Sequence, residues 1–310
     1  MTTIKANIMT LDFEDYLSDR TVRKKRFVDQ IRRSLSKDTF FFLRNHTVLA
    51  STSDETEKVC RQFFSLPLEK RMAYVFDKEK YQRAYTPMKI ETGQFAKVAD
   101  EKHFFQHGDD RKTDILELPT MKSRCDMLFN QFRTVSRVLQ KAIGQSLGVN
   151  GEDFMNKEGN STLRIIEYPG NPNPLADDEV ATRGGNITGM CASKHTDINM
   201  ITLLLAKEPG LQLLHKDEWL PITISDPSLM IVNAGDMLEN VTGGRYKAGF
   251  HRVVCEKDAP RFSMAYFSHW NLHESVAPIK SLGYSDPKYR DITAGNFLSE
   301  RLEEINLGKN

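Results

Sequence analysis

No stretch of this 310-residue chain approaches the roughly 18–20 apolar residues that a membrane span needs. The opening, "MTTIKANIMTLDFEDYLSD", lacks the continuous apolar core of a secretion signal. An excess of either charge is also missing: 43 Lys and Arg stand against 42 Asp and Glu, for a net charge of +1. A nucleic-acid footprint needs a basic excess or a basic face, so that class is set aside. The most basic run, Arg20 to Arg33, carries Val22, Phe27, Ile31 and Leu35 at helical spacing and predicts the wet side of an amphipathic helix over 20–36. Cysteine is scarce. Cys60, Cys125, Cys191 and Cys255 are widely spaced with no Cys-x-x-Cys pair, which predicts reduced thiols in a cytoplasm rather than a disulfide framework or zinc knuckle. There is no His-Glu-x-x-His motif to support zinc hydrolysis, and no internal repeat. What is present, 39% hydrophobic and 27% charged residues, is the composition of a soluble globular protein.

The chain changes texture near its middle. "TFFFLRNHTVL" is aromatic and branched and predicts a strand. Asp54 with Glu57 resembles a capping box opening a helix through Val59, Phe63 and Phe64, which Pro67 ends. Residues 77–112 are polar and read as irregular. Leu128, Phe132, Val135, Leu139, Ile143 and Leu147 then recur at three- and four-residue steps until Gly148 stops the longest helix. From Thr162 onward come short apolar runs: "TLRIIEY", "NMITLLLA", "LQLLH", "WLPITI", "LMIVNAG", "HRVVCE" and "RFSMAYF". Many short strands punctuated by Gly, Pro, Asp and Asn predict a β-sandwich or barrel, the class that includes jelly rolls. A Gly/Pro-rich loop over 170–190 and a final helix over 294–305 complete the reading.

Chemistry enters with His-x-Asp, which occurs at His195–Asp197, His107–Asp109 and His215–Asp217. The second runs into Asp110-Arg111-Lys112 and reads as a wet loop; the third lies between two apolar runs and reads as a hairpin turn. His195 and Asp197 stand where an apolar strand begins, and residues two apart on a strand share a face. Two ligands hold a metal poorly. His251, in "GFHRVVCE", opens another strand and supplies a third. Two His and one carboxylate make the facial triad of non-haem Fe(II) oxygenases, which leaves three coordination positions open. Arg261 and Ser263 in "PRFSMAYF" are again two apart, a guanidinium fork and a hydroxyl suited to a carboxylate.

On "HTD", "VNAGDMLENVTGGRYKAGFHRV" and "RFSMAYF", with "TFFFLRNH", "FFSLPLEKR" and "DEKHFFQHG" upstream, the sequence resembles the isopenicillin N synthase-like branch of the Fe(II)/2-oxoglutarate dioxygenases. The resemblance covers nearly the whole chain. It implies an α+β fold: a double-stranded β-helix, or jelly-roll, core in the C-terminal half, with flanking helices mostly from the N-terminal half. It implies one dioxygenase domain over 1–310, made of a helical and irregular region (1–120), a long supporting helix (121–150), the metal-bearing core (160–275) and a closing segment (276–310). It places Fe(II) on His195, Asp197 and His251, with O2 as oxidant. The distal carboxylate of 2-oxoglutarate falls to Arg261, Ser263 and the Tyr168 hydroxyl. Ile166 stands where many plant members have Asn.

The implied reaction is hydroxylation of a small-molecule substrate with release of succinate and CO2, and desaturation or ring closure as other outcomes. An oxidase of the isopenicillin N synthase type would use no 2-oxoglutarate and would hold its substrate's carboxylate on Arg261 and Ser263. A catalytically inactive jelly-roll binding protein is the alternative from another class. Candidate pocket residues are Arg83, Phe105, Phe250 and Phe267, with Tyr85, Phe104 and Trp270 beside them; the expected substrate is a small polar metabolite such as an amino acid or a derivative. No membrane partner is expected.

Overall fold

A computed structural model describes residues 8–75, 83–93, 98–109, 114–170, 187–222, 226, 228–256, 258–284 and 286–305. Its strands are β1 (Thr10–Asp12), β2 (Phe40–Arg44), β3 (Ala84–Thr86), β4 (His103–Gly108), β5 (Glu158–Tyr168), β6 (Ile187–His195), β7 (Ile201–Ala206), β8 (Leu211–His215), β9 (Glu218–Pro221), β10 (Met230–Ala234), β11 (His251–Glu256) and β12 (Arg261–Trp270). The helices are α1 (Phe13–Leu17), α2 (Thr21–Lys37), α3 (Ala50–Phe64), α4 (Leu68–Met72), α5 (Met121–Ser146), α6 (Gly151–Asn156), α7 (Asp236–Val241) and α8 (Ala294–Glu304). Eight strands form one sheet in the order β1-β2-β10-β7-β12-β5-β4-β3, and four form a second in the order β6-β11-β8-β9. The fold is a double-stranded β-helix of the α+β class, with helices packed on its larger sheet.

Period-two alternation on β12 explains how one sheet serves both a core and a site. Phe262, Met264, Tyr266 and Trp270 join the cluster that includes the helices, while Arg261, Ser263, Ala265, Phe267 and His269 face the cavity between the sheets. On the helix side α5 presents Leu128, Phe132, Val135, Leu139 and Ile143, all buried, and Phe132 stacks on Tyr266 with ring centroids 5.7 Å apart. Gly148, at φ +76°, takes the left-handed turn that ends this segment. Between the sheets lies a smaller apolar cluster with Phe104, Ile166, Tyr168, Leu213, Ile231 and Val253.

Four local expectations change. Val22 is 81% exposed, so Phe27, Ile31 and Leu35 anchor α2 without it, with Val28 packed beside them. The Asp54–Glu57 pair caps nothing: α3 begins at Ala50, the Leu49 amide donates to Gln131 Oε1 at 2.9 Å, and both acids instead receive Lys207 Nζ, at 2.7 and 2.9 Å. Residues 77–112 are not irregular throughout, because β3 and β4 lie within them. β4 is buried along its whole length, and its polar groups are satisfied by neighbours: Gln106 accepts from Arg164 Nε at 3.1 Å. His107, read from sequence as part of a wet loop, meets Asp126 Oδ1 through Nε2 at 2.9 Å. Of the 170–190 loop, residues 171–186 lie outside the described residues, and the end of it enters β6. By contrast His215–Asp217 is the β8–β9 turn, with Lys216 and Asp217 both at positive φ.

The cysteine expectation is also corrected. Cys191 on β6 and Cys255 on β11 are joined as a disulfide, their Cα atoms 6.0 Å apart although 64 residues separate them in sequence. Antiparallel pairing of β6 with β11 brings them together, which spacing along the chain could not reveal. Cys60 and Cys125 are free and buried. No helix among the described residues is long and apolar enough to cross a membrane.

Removing the ring that stacks on Tyr266 tests the helix–sheet seam. Phe132→Ala is expected to lower unfolding free energy by about 3–5 kcal/mol, measured by urea denaturation; a loss under about 1 kcal/mol would mean α5 is not the seam's anchor.

Candidate metal centre and cosubstrate pocket

His195 closes β6 and His251 opens β11, and the two are register partners across that pair. Asp197 lies in the turn leading to β7 rather than on a strand. The sequence argument from a shared strand face is therefore replaced: a turn, not the pleat, brings His195 and Asp197 together. One ligand atom from each of His195, Asp197 and His251 lies within 4.8 Å of the others, and His251 Nε2 is 3.7 Å from Asp197 Oδ1.

Their remaining atoms are already engaged. His195 Nδ1 is 2.6 Å from the Ser193 carbonyl and His251 Nδ1 is 3.1 Å from the Gly249 carbonyl. A carbonyl can only accept, so both Nδ1 atoms carry a proton, and the Nε2 atoms are the ones left for a metal. Asp197 Oδ2 accepts from Thr202 Oγ1 at 2.6 Å and from Asn233 Nδ2 at 2.8 Å, which leaves Oδ1 for the centre. This outer arrangement is the one that orients metal ligands.

Charge points the same way. Burial, then His251 and Lys102, hold the His195 imidazole down at about 4, against the opposing pull of Asp197. Burial alone would raise Asp197, but His251 and His195 with the Asn233 and Thr202 hydrogen bonds keep it below its ordinary value. A neutral imidazole beside an ionised carboxylate is a donor set for a divalent cation.

The turn bearing Asp197 is pinned from beneath. The amides of Gly235, Asp236 and Met237 donate to the carbonyls of Met200, Asp197 and Ile198 at 3.0, 2.7 and 3.1 Å. A Cβ on Gly235 would stand 2.1 Å from the Asn199 carbonyl oxygen, so this close approach requires glycine.

Arg261, Ser263 and Tyr168 meet deeper in the cavity. Tyr168 and Arg261 are register partners on β5 and β12, and the Arg261 guanidinium carbon lies 5.1 Å from the Tyr168 ring centre. Arg261 Nε donates to the Pro209 carbonyl at 3.1 Å, and Nη1 reaches Ser263 Oγ at 3.4 Å. Burial pushes the Arg261 guanidinium below its ordinary value, opposed by Tyr168 and Glu208, so an anion placed here would relieve a desolvated cation.

Of the candidate pocket residues, Phe267 lines the cavity. Phe105 points the other way, 5.2 Å from Phe63 in the helix-side core. Trp270 donates to Gln140 on α5 at 2.8 Å, and Tyr85 meets Arg71 and His103. These three are core residues, because odd and even positions of their strands face opposite sides. Phe250 lies beneath Lys194 Nζ at 4.6 Å. Arg83 extends over Gly108 and donates to Thr162, a cavity residue, at 3.1 Å.

The sequence reading missed a buried charged wall. Lys102 Nζ lies 2.8 Å from Asp100 and 3.5 Å from Glu91; Arg164 Nη1 reaches Glu91 at 3.0 Å and its guanidinium sits between Phe104 and Phe267, 4.1 and 5.0 Å from their ring centres. Burial opposes the Lys102 charge, but Asp100 and Glu91 raise it above its ordinary value. Glu91, Asp100 and Lys102 fall in the polar stretch read as irregular, and Arg164 in the run "TLRIIEY" read as a strand. His269 and the α8 residues Leu298, Arg301 and Leu302, also missed, complete the wall. Arg301 Nη2 bonds Asp236 at 2.7 Å.

Two outcomes follow. Gly235→Ala should weaken Co(II) or Fe(II) binding at least tenfold, read by metal titration, because the Asp197 turn must move; unchanged affinity would show the turn is not the constraint. Acid should destabilise the metal-free protein. The folded values of His195 and His269 are lowered from 6.5 to about 4 and about 3, so the unfolded chain takes up protons first. This contribution is complete above about 6.5 and is lost as pH falls toward 4 and 3; urea midpoints measured from pH 7 to 4 should fall, and a flat profile would contradict it.

Comparison with known proteins agrees with this geometry. Residues 8–124 match the model of the non-haem dioxygenase N-terminal region, and residues 159–269 match that of the 2OG-Fe(II) oxygenase superfamily. The chain is 25% identical to the 2-oxoglutarate-dependent dioxygenase tropC of Talaromyces stipitatus, over 98% of this chain and 96% of that one. A crystal structure of a 2OG-Fe(II) oxygenase family protein from Caulobacter crescentus superposes with a TM-score of 0.77 at 29% identity, covering 97% and 100% of the two chains. A full-length Neurospora crassa protein, solved in complex with alpha-KG, shares the fold at a TM-score of 0.80 and 23% identity, over 97% and 98%. With both halves matched in order and a His-Asp-His cluster in its cavity, the chain belongs to the 2OG-Fe(II) oxygenase family and is an Fe(II)/2-oxoglutarate-dependent dioxygenase.

Proposed function

We propose that this dioxygenase hydroxylates a small polar metabolite, an amino acid or a derivative of one, releasing succinate and CO2, and that residues 1–310 work as one dioxygenase domain. In this reading His195 Nε2, Asp197 Oδ1 and His251 Nε2 hold Fe(II). Arg261 and Ser263, with the Tyr168 hydroxyl, grip the distal carboxylate of 2-oxoglutarate. Bound Fe(II) supplies the activation of O2 against the 2-oxo acid, which protein side chains cannot provide. The chain's own work is placement and exclusion of water. The Thr202 and Asn233 hydrogen bonds fix Asp197, and the Pro209 carbonyl fixes the Arg261 fork.

The observation that carries this reading is the clustering of ligand atoms from His195, Asp197 and His251 within 4.8 Å of one another, in a cavity also lined by the buried guanidinium of Arg261. The polar-substrate part rests on the wall of Glu91, Asp100, Lys102 and Arg164. It offers both signs of charge in a buried setting, where an ammonium or a carboxylate gains most. Leu298 and Leu302 on the wall favour a small substrate over a macromolecule. An oxidase that dispenses with 2-oxoglutarate is not favoured, given relatives named for that cosubstrate.

The test is a screen of amino acids and their derivatives with Fe(II), 2-oxoglutarate and ascorbate, scoring succinate against product. Equal amounts of the two are expected for a true substrate; product without succinate, or no stimulation by any compound, would sink the reading. Arg261→Gln is expected to raise the KM for 2-oxoglutarate roughly 10–100-fold, from the loss of about 1.5–3 kcal/mol in charged hydrogen bonds. An unchanged KM would remove Arg261 from that role.

A further inference from the structure

β12 delivers its inward side chains in a column: Arg261 and Ser263 at the deep end, Ala265 and Phe267 beside the metal cluster, and His269 beyond it. The register locates these levels. Phe267 pairs with Thr202, which holds Asp197, while Ser263 pairs with Ala206 four residues deeper. An anion gripped at Arg261 and reaching the metal cluster therefore fills the column from 261 to about 267. His269 stands on the far side, where a substrate must lie.

His269 is 8% exposed, and its Nδ1 has no hydrogen-bond partner among the described residues. A buried polar atom left in that state is destabilising, and structures rarely keep one without a reason. His103 and His107, the other buried histidines, are engaged with Glu167 and Asp126, each at 2.9 Å. Half-buried His46, whose ring nitrogens also lack partners among the described residues, does not line the cavity. Position 269 has no such structural duty, and it lines the cavity. We propose that His269 is the substrate-positioning residue of this pocket, exchanging one hydrogen bond through its imidazole with an uncharged hydroxyl or amide of the substrate.

The chemical class follows from the surroundings. Burial, then Arg83 and Arg164, hold the imidazole neutral by driving its value down to about 3, with Asp197 the opposing influence. The same guanidinium groups that keep a proton off the ring repel any cationic group placed against it. A carboxylate would be drawn to the guanidinium groups themselves, and a neutral imidazole offers it no charge. An uncharged donor or acceptor is what the ring matches, and one such bond in a dry site discriminates strongly against an analogue that lacks it. The inference rests on the reading that a small polar metabolite binds here.

The experiment compares wild type, His269→Leu and His269→Asn as Fe(II)/2-oxoglutarate holoenzymes, with fold checked by thermal melting. Probes are paired: serine and threonine against alanine and 2-aminobutyrate, asparagine and glutamine against leucine and norvaline. Wild type should favour the hydroxyl or amide member by tenfold or more in kcat/KM, mainly through KM. That ratio should fall toward one in His269→Leu and recover in His269→Asn, whose amide restores a donor and an acceptor at this position. Discrimination that persists in His269→Leu overturns the inference while leaving the substrate class intact.

A panel in which no amino acid stimulates turnover sinks the substrate class instead, and His269 is then judged by NMR. In histidine-15N-labelled protein loaded with Zn(II) and 2-oxoglutarate, acetamide should shift the His269 ring-nitrogen resonances saturably. Absence of a shift, with the protein folded, overturns the assignment.

Discussion

Two backbone carbonyls and a threonine hydroxyl decide what this cavity can bind. The carbonyls of Ser193 and Gly249 take the Nδ1 protons of His195 and His251, and Thr202 occupies one oxygen of Asp197. Each of these bonds is local to the strand or turn that carries the ligand, so the donor set is directed before any ion arrives. Preorganisation matters because a ligand cluster that had to choose tautomers and rotamers on binding would lose affinity to that ordering. The larger architecture serves this small arrangement. β6 and β11 bring the imidazoles to one level, and the start of α7 clamps the Asp197 turn from below.

Behind the metal cluster, the cavity is a managed electrostatic interior rather than a greasy hole. Lys102 and Arg164 are matched by Asp100 and Glu91 within hydrogen-bonding or ion-pair distance. Such buried pairs add little stability over an apolar wall of the same volume. Their retention beside a ligand cluster accords with a role in reception. Asp100 also accepts the Ser193 amide at 2.9 Å, so the charged wall and the strand that positions His195 are mechanically one piece.

Much of this was legible in the sequence, and the failures have physical reasons. The long helix with its Gly148 stop and most C-terminal strands followed from periodicity and turn chemistry, because those elements bury one regular face. His195, Asp197 and His251 stood out as residue types, yet the argument from a shared strand face was wrong, since the chain turns between the first two. β4 escaped notice because its polar side chains are satisfied by β5 and α5, not by water. β6 escaped because its "ITGMCASKH" has no apolar alternation. The Cys191–Cys255 pair and the wall built by Lys102 and Arg164 depend on which strands become neighbours, and nothing local in the chain encodes that. Phe105 and Trp270 were misassigned by a single step of pleat parity.

The pairing of β6 with β11 is not a regular ladder: its register shifts three times between His251 and Glu256. Irregular ladders are where strands slide, and a one-residue slide turns every side chain to the opposite face. Here that would swing one imidazole out of the cavity altogether. The sulfur bridge from residue 191 to residue 255 sits at the far end of this loose segment, and it acts as a rivet that forbids the slide. The protein thereby tolerates a poorly stitched seam at the very place where two strands must agree on the position of one ion.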